Sequence, residues 1–164
     1  MRYHNITTDD MLNGDGLRVV LWLSGCEHHC KGCQNPLTWD ANSGLVFDER
    51  ALDELFDKLE NPYISGITFS GGDPLHPENR SEVLKLAKAV KDILSKKTVW
   101  LYTGYTWEQI CGLSGIENID VLVDGRFTEE LASANYPWAG STNQRVIDVQ
   151  KSIETGKVVL HKSI

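Results

Sequence analysis

The chain has 164 residues, with 16 Lys and Arg against 23 Asp and Glu and a formal net charge of −7. A composition of 41% hydrophobic and 24% charged residues is that of a globular chain rather than a disordered one. An acidic balance without clustered Lys or Arg argues against binding a nucleic-acid backbone. The longest apolar run, Val19-Val20-Leu21-Trp22-Leu23, is far short of the ~20 residues that span a bilayer, and Met1-Arg2-Tyr3-His4-Asn5 has no apolar secretory core. A cytoplasmic protein with no membrane partner is the expectation. One domain over residues 1–164 is the default at this length, since such a chain buries roughly 70% of its unfolded surface. No repeat, low-complexity stretch or linker divides it.

In chain order, Leu17 to Leu23 is apolar and β-branched and runs into Ser24-Gly25, a strand and then a turn. Leu52, Leu55, Phe56 and Leu59 fall at i, i+3, i+4 and i+7 and predict an amphipathic helix over 49–60, with Asp48 as its N-cap. Ile64 to Phe69 reads as a strand ending at Ser70-Gly71-Gly72. Asn79 with Glu82 three residues on has the form of a capping box, opening a helix that runs to about Leu94. Thr98 to Tyr102 is a third strand, and Thr106 with Gln109 opens a short helix ending at Gly112. Ile119 to Val123 is a fourth strand, and Arg145 to Val149 and Lys157 to His161 are terminal strands. Strands spaced by helices indicate βα units and a mostly parallel sheet. Ligands then sit at the carboxyl ends of the strands, where Gly25, Gly71-Gly72, Gly104 and Gly125 fall.

Three of the four cysteines, Cys26, Cys30 and Cys33, form a CxxxCxxC pattern in the loop after the first strand. Thiolates are soft ligands that suit iron–sulfur clusters or zinc. Three thiolates on a four-iron cluster leave one iron open, as a reactive site requires. The alternative is a zinc centre of Cys₃His type with His28 or His29 as fourth ligand. Three clustered cysteines do not pair evenly into disulfides. Cys111 shares helical spacing with Trp107 and Ile110 and reads as a buried core thiol. Trp22, Trp100 and Trp138 read as packing residues, and no acid–base triad is evident.

The cysteine loop resembles the signature of radical S-adenosylmethionine enzymes. The narrower resemblance is to the glycyl-radical activases of anaerobic ribonucleoside-triphosphate reductase. It is carried by Asn13-Gly14-Asp15-Gly16-Leu17-Arg18, Ser24 through Cys33, Trp39-Asp40, Ser70-Gly71-Gly72-Asp73-Pro74-Leu75, Tyr102-Thr103-Gly104-Tyr105, Val123-Asp124-Gly125 and Gly140 through Arg145. Gly32 stands where many radical S-adenosylmethionine enzymes have an aromatic residue, and Asp15 where the family often has Pro.

The resemblance implies an α/β fold, an incomplete TIM-like βα barrel of mostly parallel strands forming a single radical S-adenosylmethionine domain. It implies a 4Fe–4S cluster held by Cys26, Cys30 and Cys33. S-adenosylmethionine would chelate the open iron, with Gly32, Cys33 and Gln34 lining the adenine and Gly71, Gly72, Asp73 and Pro74 receiving the amino group. Reductive cleavage by an electron from a flavodoxin-like donor would give a 5′-deoxyadenosyl radical, which takes hydrogen from a glycine of the reductase. The partner loop calls for an exposed docking face. Thr103 and Asp124 either reach the ligand or cap a helix. Arg18 and Arg145 either meet the methionine carboxylate or the partner's loop, or form surface salt bridges. His76 and His161 carry no assigned role. The rival readings are a zinc-binding interaction module and an activase of the formate lyase type.

Overall fold

The computed structural model describes residues 1–163. Seven strands form one sheet: β1 (Arg2–Asp10), β2 (Leu17–Leu23), β3 (Leu45–Val46), β4 (Ile64–Gly71), β5 (Thr98–Tyr102), β6 (Val121–Asp124) and β7 (Arg145–Asp148). Their spatial order is β3-β1-β2-β4-β5-β6-β7. The helices are α1 (Glu49–Leu59), α2 (Arg80–Ile93), α3 (Trp107–Ile110) and α4 (Val149–Thr155). The architecture is thus α/β with a mixed sheet. The expected parallel arrangement holds for the four central strands, β2, β4, β5 and β6. The flanks depart from it, because β1 pairs antiparallel with β2 and β3, and β7 antiparallel with β6.

Side chains alternate across the central strands, so each strand feeds two layers. Val19, Leu21, Leu23, Ile67, Phe69, Val99, Leu101 and Leu122 join the helices in the larger core. Asp48 Oδ1 caps α1 by accepting from the Ala51 amide at 3.0 Å. The buried stripe of α1 is Ala51, Leu55 and Leu59; Phe56 packs at its edge and Leu52 is exposed. On the other face Trp100, Val121 and Val123 pack with Ala139, Tyr102, Tyr136 and Trp138. A non-helical segment therefore covers this second face. Tyr102 Oη donates to the Trp138 carbonyl at 2.6 Å, and Trp138 Nε1 donates to Ser163 Oγ at 2.8 Å. His161 Nε2 stands 2.7 Å from Asp15 Oδ2.

Several expectations are corrected. Asn79 does not cap α2 through its side chain; its Nδ2 turns back to the carbonyls of Ser24 (2.7 Å) and Asp73 (3.3 Å). Cys111 is exposed rather than buried, because α3 is a single turn and Cys111 is its C-cap. The segment Lys157 to His161 makes one isolated bridge, Leu160 to Ile147, rather than a strand. β1, β3 and α4 have no counterpart among the expected elements.

Arg18 is neither a ligand nor a surface group. It is fully buried, donating to Thr68 Oγ1 (2.8 Å), to the Ile67 (2.7 Å), Thr98 (2.9 Å) and Asp15 (3.0 Å) carbonyls, and to Thr98 Oγ1 (3.0 Å). The guanidinium also lies 5.5 Å from the Trp100 ring centroid. Burial among neutral acceptors pulls its pKa down to about 10. The Asn13–Arg18 segment thus folds into a polar plug, with the Asn13 carbonyl accepting from Thr68 at 2.7 Å.

Candidate functional site

Four parallel strands running the same way bring the loops after β2, β4, β5 and β6 to one rim. The first carries the cysteines. It is pinned through backbone bonds from Gly25 N to Thr38 O (2.7 Å) and from Cys26 N to Trp39 O (3.0 Å), and it turns tightly where Cys33 N donates to Cys30 O at 3.1 Å. Asn35 N donates to Cys33 Sγ at 3.4 Å. Gly32 has φ +75°, and a Cβ there would meet the Glu129 side chain at 3.0 Å. A left-handed backbone of this kind favours glycine at the position.

The loop after β4 is strapped onto the cysteine loop. Gly72 N donates to Leu23 O (2.8 Å) and Asp73 N to Gly25 O (2.6 Å). A Cβ on Gly71, at φ +102°, would stand 2.4 Å from Leu23 N, and one on Gly72 would stand 2.5 Å from Gly25 O. The close approach that requires these glycines is therefore to the neighbouring backbone.

Asp73 is buried, 2% exposed. Its Oδ1 accepts from Leu75 N (2.8 Å) and Thr103 Oγ1 (2.9 Å), and its Oδ2 from Gly104 N (2.9 Å). His28 Nε2, 2.6 Å from Oδ2, donates to this acceptor-only carboxylate. One side chain thereby links three rim loops, and its acceptor sites are filled by the protein. Thr103 belongs to this network. Asp124 takes the capping alternative, accepting from Trp107 N at 2.8 Å. Arg145 bonds to Asp124 and to Glu108, whose Oε2 is 2.8 Å away. The Arg145 guanidinium holds the Glu108 carboxyl below its ordinary range.

Cys26, Cys30 and Cys33 are free and half-buried, and burial pushes the Cys26 thiol up. His28 is committed to Asp73, and His29 lies stacked on Trp39 with ring centroids 4.5 Å apart. Among the described residues no group of three or more His, Cys, Asp or Glu is arranged to hold one metal ion. A Cys₃His zinc centre needs four donors about 2.0–2.3 Å from a single ion, and here both candidate histidines are engaged elsewhere, His28 by Asp73 and His29 by the Trp39 ring. A four-iron cluster asks something different: soft thiolates that each bind a separate iron. Three free thiols on one pinned loop fit that demand.

On the sheet face away from the helices a cleft of about 880 Å³ opens at this rim. Cys33, Gln34 and Gly71 line it together with Trp22, Ser70, Tyr102 and the 132–140 segment. Cys26 borders a separate hollow of about 580 Å³ with His29, Trp39 and His76. Gly32, Cys30, Gly72, Asp73 and Pro74 line neither. Sequence reasoning did not single out Tyr102, Trp39 or the 132–140 wall as site residues.

The family model described as a 4Fe-4S single cluster domain matches residues 12–147, which defines the class of protein that this rim serves. The anaerobic ribonucleoside-triphosphate reductase-activating protein of Enterobacteria phage T4 is 42% identical over 146 residues, 89% of this chain and 93% of that protein. Those of Escherichia coli strain K12 and Vibrio cholerae serotype O1 are 39% and 42% identical over 150 and 148 residues, covering 97% and 96% of their own lengths. The chain belongs to the family of anaerobic ribonucleoside-triphosphate reductase-activating proteins.

Proposed function

We propose that this chain activates an anaerobic ribonucleoside-triphosphate reductase by generating the glycyl radical of its catalytic subunit, with Cys26, Cys30 and Cys33 holding a 4Fe–4S cluster. The observation that carries the reading is the trio of free thiols on one rim loop, with Cys33 opening into the 880 Å³ cleft. When bound, the cluster supplies one electron, drawn from a flavodoxin-like donor, for cleaving the C5′–S bond of S-adenosylmethionine to methionine and the radical that takes the glycine hydrogen.

The chain's own residues bind, orient and shield. Cys33 and Gln34, with Gly32 setting the turn before them, form the wall toward the adenine. The Ser70-to-Pro74 loop offers backbone carbonyls to the amino group, and Asp73 holds the three rim loops in register rather than meeting the ligand with a free carboxylate. Trp22, Tyr102 and the 132–140 segment keep water from the cleft. The sheet serves as an incomplete barrel of one domain: its parallel strands run β2-β4-β5-β6 without reversal, and the cleft lies on the face away from the helices. The open flank leaves room for a loop of the partner. The protein works in the cytoplasm; no helix of the described residues is long and apolar enough to cross a membrane.

Anaerobic reconstitution tests the reading. The wild-type chain is expected to take up about four irons and, with S-adenosylmethionine, reductant and the reductase, to yield a glycyl-radical spin signal. Ala at Cys26, Cys30 or Cys33 is expected to lower both iron uptake and signal at least about tenfold, while Cys111→Ser leaves both unchanged. Stoichiometric zinc in anaerobically purified protein would refute the reading.

A further inference from the structure

Buried polar hydrogens in proteins are nearly always paired, so an orphan calls for an acceptor of its own. Among the described residues one buried side-chain nitrogen or oxygen lacks a partner: the indole Nε1 of Trp39. The cysteine loop fixes where this residue sits. The Trp39 carbonyl accepts from Cys26 N at 3.0 Å and the preceding carbonyl, of Thr38, accepts from Gly25 N at 2.7 Å. Trp39 and Cys26 border the same hollow. The imidazole of His29, between the first two cysteines in the chain, lies over the indole at an interplanar angle of 18°. Stacking keeps the His29 nitrogens out of the ring plane, the direction in which the indole N–H donates. His29 adopts this position with φ 48°, a backbone region that non-glycine residues rarely occupy. The cysteine loop holds the indole beside the first cysteine, and no atom of the described residues accepts its hydrogen.

We propose that the Trp39 N–H donates a hydrogen bond to a sulfur of the 4Fe–4S cluster and thereby raises its reduction potential. The proposal rests on the cluster reading above. A cluster brings sulfur acceptors to a loop whose Cys33 sulfur already receives one N–H, from Asn35 at 3.4 Å. Adding an electron makes those sulfurs more negative, so a donor at this place favours the reduced state; hydrogen bonds to the sulfurs are an established lever on such potentials. A water molecule paired with the indole instead would leave the potential insensitive to the loss of the N–H.

The experiment compares reconstituted wild-type protein with Trp39→Phe, and with a variant carrying β-(3-benzothienyl)alanine at position 39. The second side chain keeps the indole shape and puts sulfur in place of N–H, so it decides the matter if the Phe variant fails to fold or to load. The readouts are iron content, a spin-resonance-monitored redox titration, and the exchangeable-proton coupling of the reduced cluster in light and heavy water. In the variants the reduced-to-oxidised ratio at fixed potential is expected to fall about tenfold, equivalent to about 59 mV for one electron, with loss of an exchangeable coupling. Full iron loading with an unchanged midpoint and coupling in the isosteric variant would overturn this proposal alone. A wild-type chain that takes up no four-iron cluster would overturn the cluster reading and this proposal with it.

Discussion

Asp73 shows how much one carboxylate can organise when it is buried and saturated. Besides the local Leu75 amide, its donors come from His28, Thr103 and Gly104, between 30 and 45 residues away in the chain. Asp73→Asn would turn an amide N–H₂ toward groups that themselves donate, and leaving such donors unmatched costs about 1–3 kcal/mol. The expected outcome is a lower urea midpoint together with weaker iron retention, since the cysteine loop loses its tie through His28; an unchanged midpoint would show that the rim does not depend on this side chain. The cysteine trio could be read from spacing alone because its chemistry is local. The fate of Asp73 could not, because its partners meet only when three strands pair. Nothing in the sequence marks Trp39 as the residue with an unpaired hydrogen. Cys111 was misread because helical spacing carries information only while the helix lasts, and α3 ends at Ile110.

Among the elements, two helix starts that look alike in sequence behave differently. Asp48 caps α1, so Asp48→Ala is expected to cost about 1 kcal/mol in chemical denaturation. Asn79 spends its amide on the Ser24 and Asp73 carbonyls. The loss in Asn79→Ala should therefore appear as faster hydrogen exchange in the loops after β2 and β4, while the first turn of α2 keeps its protection. The bounds of β2 and β5 were legible because each is a largely apolar run between polar turns, broken only by Arg18 in β2 and opened by Thr98 in β5. β1 was not legible: only Tyr3 and Ile6 are buried, and register shifts between Tyr3 and Asn5 and between Thr7 and Asp10 break its alternation. A bulge moves later residues to the opposite face, so a period of two disappears from the sequence while the pairing persists.

For the molecule as a whole, the far side of the sheet is closed by charge. Arg145 on β7 joins Asp124 at the end of β6 to Glu108 on α3. Because the folded Glu108 carboxyl titrates below its ordinary value, the stabilisation it brings is fully present above the unfolded pKa, near ~4.3. It is lost as pH falls through the lower folded value. Wild-type and Glu108→Gln proteins should therefore differ in denaturation midpoint near neutral pH and converge in acid. A gap that persists once the carboxyl is protonated in both folded and unfolded states would exclude this linkage. The central α/β order was legible in the alternation of strand and helix patterns. The β1–β3 flank was not, because β3 is two exposed residues and β1 carries its bulges; β7 at the other edge was legible as a strand, though not its antiparallel direction.

The contacts of the 157–163 segment have a genetic corollary. Ser163 holds the Trp138 indole, the Trp138 carbonyl holds Tyr102, and Tyr102 lies in the cleft. A premature stop codon after Thr155 would spare every cysteine and every central strand, yet it would remove the brace behind the cleft wall. Such an allele would encode a protein that still binds iron but presents a slackened cleft to its ligand.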